Sequence, residues 1–270
     1  HRIEGAFPVV VGDILQADQV ADAMRGTEFV IHLAAISGVE HSRALGKKAW
    51  DVNVNGTVTV LEAARRNMNF PAVVVASSNH VYGRQERSPF REDAPLNQMD
   101  TYSATKIAAD VAARSYAHNY GLRTAVVRNT NCYGVGDPHL DHIIPGTIDA
   151  VLRGQNPIIR GTGRTKKAYL YVDDVAEAYL AVAQWLSQGG RRGEAFNVST
   201  DSISVLDLVK TISDVMHVKI QPFVMGMKDD QQDENLDWRK VAKLTGWGPR
   251  VTLEEGLTRT VRYMKGGVPA

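Results

Sequence analysis

Three short runs of β-branched and small residues constrain this chain more than anything else in it. They are Phe29-Val30-Ile31-His32-Leu33-Ala34-Ala35, Ala72-Val73-Val74-Val75-Ala76-Ser77-Ser78 and Thr124 to Arg128. Each has the length of one strand and is apolar at nearly every position, whereas a half-solvated strand alternates. Strands of that kind are covered on both faces, which is the condition of a parallel sheet with helices above and below. Helical patterns separate the runs. Ala44 to Asn67 reads as one long helix with Val52, Val54, Val58, Leu61 and Ala64 on its inner face. A second helix runs through Tyr102 to about Tyr120 and is stopped by Gly121. Upstream, Pro8 to Asp13 reads as another buried strand, and Asp18 to Arg25 as a short amphipathic helix closed by Gly26. Strand and helix alternate through about residue 128, so the fold class is α/β with a parallel sheet.

In such sheets ligands bind outside the carboxyl ends of the strands. Asp13, Ala34, Ala35, Ser77, Ser78 and Asn131 fall at or just past those ends, facing one crevice, and Arg128 closes its strand beside them. The second half is less regular. It reads as a helix over 143–153, a Gly161-Thr162-Gly163 turn, a strand from Tyr169 to Val172 and a helix N-capped by Asp173 or Asp174. An exposed loop at Gln184 to Glu194, a strand at Phe196 to Ser199 and a helix from Val205 to Met216 follow. Trp238 to Leu244 and Leu253 to Met264 read as terminal helices. The expected organisation is a dinucleotide-binding part over 1–135. A smaller α+β lobe over 136–270 leans over the crevice and interleaves with the first part.

Composition removes several functions. The 270 residues are 44% hydrophobic with a formal net charge of +1 and no basic stripe, which argues against nucleic acid or an anionic membrane as partner. No apolar run approaches the roughly 20 residues that span a bilayer. The one cysteine, Cys132, rules out an intramolecular disulfide and suits a reducing, cytoplasmic compartment. It reads as a small buried residue beside the site. His139 and His142 have no third ligand at suitable spacing, so no metal is expected. Asp229 to Glu234 reads as a solvated acidic loop, and Trp238 and Trp247 as lobe core.

The chemistry centres on Tyr102-Ser103-Ala104-Thr105-Lys106. Residues four apart on a helix share a face, so the Lys106 ammonium is placed to stabilise a Tyr102 phenolate and draw its pKa down from about 10. Such a phenol moves a proton on or off an alcohol while a cofactor takes the hydride. Alone the pair also describes an ordinary surface helix; its neighbours decide. These are Ser77-Ser78-Asn79-His80-Val81-Tyr82-Gly83, Arg128-Asn129-Thr130-Asn131-Cys132-Tyr133-Gly134, Asp51-Val52-Asn53-Val54-Asn55-Gly56-Thr57 and Tyr171-Val172-Asp173-Asp174-Val175.

Together these groups resemble the extended short-chain dehydrogenase/reductase superfamily, in its NAD-dependent sugar-nucleotide epimerase/dehydratase branch, from Pro8 onward. The likeness is greatest to 4,6-dehydratases acting on CDP-glucose or GDP-mannose. It is carried by Gly136-Asp137, Leu140-Asp141-His142-Ile143-Ile144-Pro145-Gly146, Gly154-Gln155-Asn156-Pro157 and Leu244-Thr245-Gly246-Trp247-Gly248-Pro249. The resemblance implies a Rossmann-like doubly wound sheet, NAD or NADP as cofactor, a nucleotide-sugar substrate and a homodimer formed through the helices bearing Val52 and Tyr102. It implies Tyr102 as general base and acid, Lys106 on the nicotinamide ribose and Ser78 on the reacting sugar hydroxyl. Asp13 would lie near the adenine, with Ile14, Leu33, Ala34, Ala35, Asn53 and Ser77 along the cofactor cleft. Asn79, Asn131 and Lys167 would face the substrate, the last two at its phosphates. An arginine is commoner at the Lys167 position, and lysine lacks the bidentate fork.

Two departures matter. Dehydratases of this group carry aspartate and then glutamate or lysine after the Ser78 position, where this chain has Asn79 and His80. Losing water across C5 and C6 takes a base and an acid. Asparagine is neither; His80 serves near neutral pH, although a loop histidine bonded to a carbonyl fits its position equally well. A 4-epimerase therefore stays open beside the dehydratase, as does a catalytically silent binding protein. The second departure is the family's Gly-x-x-Gly-x-x-Gly turn, which binds the cofactor pyrophosphate at a helix N-terminus and does not occur here. The expectation is a shortened chain in which Pro8 to Val11 lacks its strand neighbour and cofactor is held poorly.

Overall fold

The computed structural model describes residues 7–227 and 232–266. In chain order the elements begin with α1 (Ala17–Ala23), β1 (Phe29–His32), α2 (Val39–Leu45), α3 (Lys47–Trp50), a π-helical turn (Asp51–Gly56), α4 (Thr57–Arg66) and β2 (Ala72–Ala76). A 3₁₀ turn (Asn79–Tyr82), α5 (Thr101–Tyr120), β3 (Thr124–Asn129), β4 (Asn131–Tyr133), α6 (Ile143–Leu152), β5 (Ile158–Ile159) and β6 (Lys166–Tyr171) follow. The chain closes with α7 (Val172–Ser187), β7 (Glu194–Val198), β8 (Ser202–Ser204), α8 (Val205–Met216), β9 (Phe223–Val224), α9 (Arg239–Thr245) and α10 (Leu253–Met264).

The main sheet is parallel, in the order β1-β2-β3-β7. Its two faces sort residue by residue, as period-2 side-chain alternation demands. Ala72, Val74, Ala125, Val127, Phe196 and Val198 pack against Ala178, Val182 and Leu186 of α7, Val241 of α9 and Trp247 just beyond it. The intervening Val73, Val75, Val126 and Ala195 pack against Val60, Leu61 and Ala64 of α4 and Ala113 of α5. Each buried valine or leucine contributes about 1.5–3 kcal/mol by leaving water, and β2 buries all three of its valines. A three-stranded sheet, β4-β6-β8, and the helices α6, α8 and α10 form the lobe around Tyr133, Ile144, Ile148, Leu208, Ile212 and Leu257.

The fold is the Rossmann-like α/β arrangement expected from the sequence, with differences of detail. Val9, Val10 and Val11 form no strand and are exposed, Val11 to 95%. A parallel strand exists only against a neighbour, and β1 pairs with β2 on one edge alone among the described residues. The long helix expected over Ala44–Asn67 is interrupted. Gly46 (φ 47°) breaks it after α2, and the π-helical turn then carries the chain into α4. Asp173 and Asp174 do not cap α7; they occupy its first turn. Asp174 is buried and accepts the amides of Arg250 and Val251, pinning the tail that leads into α10. Trp247 and Trp238 pack on the main sheet, not in the lobe, because α9 covers that face. No helix among the described residues is long and apolar enough to cross a membrane.

Candidate active site

Tyr102 and Lys106 sit in the first two turns of α5, whose start is fixed by Asp100. Its carboxylate accepts from the Ser103 amide at 3.0 Å and the Ser103 hydroxyl at 2.7 Å. Lys106 is buried, and its ammonium donates to the Ala76 carbonyl at 2.9 Å, at the carboxyl end of β2. Burial lowers its pKa to about 8. Tyr102 lies the other way from the sequence expectation. Burial raises its phenol above the ordinary value, the Ser78 hydroxyl pulls it partly back, and Asp100 adds to the rise. The Lys106 ammonium is aimed at a backbone carbonyl, so in the protein by itself it does not act as the phenolate's counter-charge.

Ser78 caps the 3₁₀ turn, its hydroxyl accepting from the His80 amide at 3.2 Å and donating to Asn79 Oδ1 at 3.3 Å. That turn places the His80 ring edge-on to Tyr102, with centroids 6.0 Å apart. Burial lowers the His80 pKa, opposed by Glu234, with Lys167 lowering and Asp100 raising it further. Ser78, Asn79, His80, Tyr102 and Lys106 are therefore brought together where β2 ends.

The residues expected along the cofactor cleft separate into two groups. Leu33 and Ala34 are exposed, Ala35 is half-buried, and the Ser77 hydroxyl is buried with no hydrogen-bond partner among the described residues. Asn53 is different. Its amide bonds both backbone groups of Ile36 and the Thr105 hydroxyl, at 2.7–3.0 Å. It is a clip that ties the loop after β1 to α5. Asp13 spends a carboxylate oxygen on the Leu15 amide in a local turn, and Ile14 packs against the backbone at Gly56, where a Cβ would come within 2.4 Å of it. Beside Lys106, His32 is buried on the Thr57 hydroxyl and its pKa falls to about 4, through burial and then the neighbouring ammonium.

Toward the lobe a cavity of about 1080 Å³ opens, lined by Asn131, Cys132, His142, Thr147, Lys167 and Tyr169 among others. Thr147 Oγ1 is buried there with no partner among the described residues. Cys132 is exposed on its wall and not buried as expected. His142 is paired with Asp137 at 2.8 Å, and no cluster of three or more His, Cys, Asp or Glu fit to hold a metal occurs among the described residues. Asn131 donates to the Ala168 carbonyl and to Glu234 Oε2, both at 3.1 Å, and Lys167 lies 3.6 Å from Glu234 Oε1.

Sequence reasoning missed two features. Glu234 belongs to what reads as a solvated acidic loop, yet it is buried at the site; Asp229 and Asp230 of the same run lie outside the described residues. Arg128, expected beside the crevice, is fully buried. It holds Asp110 through two hydrogen bonds and donates to Tyr82 Oη, which donates to Asn197 Oδ1 at 2.6 Å. A strand-end arginine whose partner lies eighteen residues back gives no sign of that pairing; only the packing of β3 on α5 creates it.

A Rossmann-like sheet thus carries Ser78, Tyr102 and Lys106 at its carboxyl edge, with a lobe cavity beside them. The comparisons agree. Residues 1–199 match the model of the NAD dependent epimerase/dehydratase family, and the chain belongs to that family. It is 32% identical over 274 residues to a UDP-glucose 4-epimerase of Mycolicibacterium smegmatis, covering 98% of this chain and 86% of the relative. It is 31% identical over 266 residues to a trifunctional UDP-glucose 4,6-dehydratase/3,5-epimerase/reductase of Arabidopsis thaliana, covering 95% of this chain but only 39% of that protein. Among solved structures, a dTDP-glucose 4,6-dehydratase from Streptomyces venezuelae with NAD bound superposes with a TM-score of 0.82 at 29% identity, over 94% of this chain and 78% of that one. The relatives thus include both 4-epimerases and 4,6-dehydratases.

Proposed function

We propose that this protein is a sugar-nucleotide 4,6-dehydratase using NAD or NADP. The observation that carries the reading is the His80 ring set against Tyr102 at 6.0 Å. A 4-epimerase needs one proton-transferring group at C4; elimination needs a second group beside it. With its pKa lowered, His80 is neutral near neutral pH and suits the base that takes the C5 proton; the imidazolium so formed is the acid that passes a proton to the C6 hydroxyl, which leaves as water. NAD or NADP, when bound, would supply the hydride acceptor for C4 oxidation and the donor for the later reduction at C6. The residues fit its nicotinamide-ribose end: the unpartnered Ser77 hydroxyl offers a donor, and Lys106 reaches that cleft from α5. As the phenolate, which the Ser78 hydroxyl favours and which Lys106 would stabilise with cofactor bound, Tyr102 takes the C4 hydroxyl proton. Asn131 and Lys167 hold the nucleotide's phosphates, as in the resemblance that first suggested them. The single cysteine suits a reducing cytoplasm, and a homodimer through the α4 and α5 faces is the expected assembly.

The reading is tested by mass spectrometry of products from the natural full-length protein with CDP-, GDP-, UDP- and dTDP-hexoses. A product lighter by one water supports the dehydratase and names its substrate. An isomer of unchanged mass replaces it with the 4-epimerase, which the absence of an acidic group at Asn79 favours. No turnover despite bound cofactor supports a silent nucleotide-binding protein.

A further inference from the structure

No motif announced Glu234, and its surroundings are unusual. Both carboxylate oxygens face groups that would otherwise serve an incoming anion: Oε2 accepts from Asn131 Nδ2 at 3.1 Å, and Oε1 lies 3.6 Å from Lys167 Nζ. Asn131 and Lys167 both line the lobe cavity. Glu234 is only 8% exposed, so its charge is poorly screened by water. Nor is it there by chance of a loose loop. Its own amide donates to the Lys166 carbonyl at 2.9 Å, and Asp233 accepts from the Lys166 amide at 2.8 Å. Three residues on, Asp237 donates to the Phe90 carbonyl at 2.8 Å, and the Phe90 amide donates to Asn235. The backbone is pinned on both sides, and what the pinning presents to Asn131 and Lys167 is one carboxylate.

We propose that Glu234 is a specificity residue, a built-in counter-anion that shares the Asn131 and Lys167 donors and so sets how much phosphate charge the site accepts. The proposal rests on the sugar-nucleotide reading for those two donors. A phosphate that uses them meets a fixed negative charge a few ångströms away, at a separation where like charges in a partly desolvated site repel appreciably. Either the Glu234 side chain turns aside or the ligand's charge is tolerated at a cost. In both cases the carboxylate lowers affinity in proportion to ligand charge, and product release gains from it.

The test is equilibrium titration of the natural full-length protein, with NAD bound, against UDP, dTDP, CDP and GDP, the matching monophosphates and the nucleosides. Wild type is compared with Glu234→Gln, which keeps an acceptor for Asn131, and with Lys167→Gln and the double variant. Glu234→Gln should tighten the best diphosphate on the order of tenfold, tighten the monophosphate less and leave the nucleoside unchanged. Lys167→Gln weakens the diphosphate in either background. A diphosphate affinity in Glu234→Gln that is unchanged, or weaker with the thermal midpoint preserved, overturns the proposal; weakening assigns Glu234 the positioning of Lys167. Should Glu234→Gln lower the thermal midpoint, Glu234→Asp repeats the comparison with the charge kept but withdrawn by one methylene, and affinity no tighter than wild type then overturns the proposal. If no nucleoside diphosphate binds either form, the sugar-nucleotide reading itself falls, and this inference with it.

Discussion

A tyrosine and a lysine one helical turn apart look alike in an active site and on a surface; what separates the two here is the burial of Lys106. An ammonium held inside, on a single carbonyl, has a pKa of about 8 against an ordinary value above 10. Tyr102→Phe is therefore expected to lower turnover by about 10²–10⁴ without disturbing the fold, checked by steady-state kinetics alongside circular dichroism. His32 supplies a prediction in the acid range. Its pKa falls from 6.5 to about 4 on folding, so between those values the unfolded chain binds the extra proton. Stability is then full above pH 6.5 and is lost as pH drops toward 4, by up to about 3 kcal/mol from this residue. Urea unfolding at pH 7 and pH 4.5 should show the loss, and His32→Gln should flatten the difference.

At the scale of elements, the site depends on how α5 starts and on what the loop after β1 is tied to. Asp100 caps α5 through Ser103 and so sets where Tyr102 stands. Asp100→Ala is expected to cost about 1 kcal/mol, read as a lower urea midpoint, with a larger fall in kcat than in substrate affinity. Asn53 does corresponding work for the loop carrying Ala34 and Ala35, by bonding Ile36 and Thr105. Removing its amide strips the Ile36 N–H of its acceptor and leaves the Ile36 carbonyl with only the Ser42 hydroxyl, at 3.3 Å. Asn53→Ala should therefore weaken NAD binding severalfold, measured by fluorescence titration, while the kcat at saturating cofactor changes less. The π-helical turn that presents Asn53 is a local irregularity in a run that otherwise reads as plain helix.

Across the whole molecule the joint between sheet and second half is a buried polar network. Arg128 on β3 holds Asp110 on α5, reaches Tyr82 and the Glu92 carbonyl, and Tyr82 passes the contact to Asn197 on β7. Asn197 in turn donates to the carbonyls of Phe90 and Asp237. Both charged side chains are fully buried. Truncating one member strands the other, so Arg128→Met is expected to cost about 3–5 kcal/mol, whereas Arg128→Met with Asp110→Leu should recover much of it. Denaturant unfolding of the two variants checks this. Because the network spans both halves, wild type should lose them in one transition by fluorescence and circular dichroism together.

The local code was enough for the class of fold and for naming residues that the structure brings together where β2 ends. β2, β3, α5, α8 and α10 follow from apolar runs, period and stop signals, and Ser78, Tyr102 and Lys106 from their spacing at a strand end and along a helix. These are short-range facts, carried by residues within a turn or a strand of one another. What the sequence did not contain in readable form is whatever depends on contacts between distant segments. Pro8 to Val11 has strand composition yet forms no strand, since pairing belongs to a neighbour and not to the run. In the sequence Arg128 reads as a strand end beside the crevice and Glu234 as part of a solvated loop; one is buried on Asp110, eighteen residues back, and the other on Asn131, about a hundred residues away. A charge's burial and its partner are set by which surfaces close over it, and that is decided only when the sheet and the lobe come together.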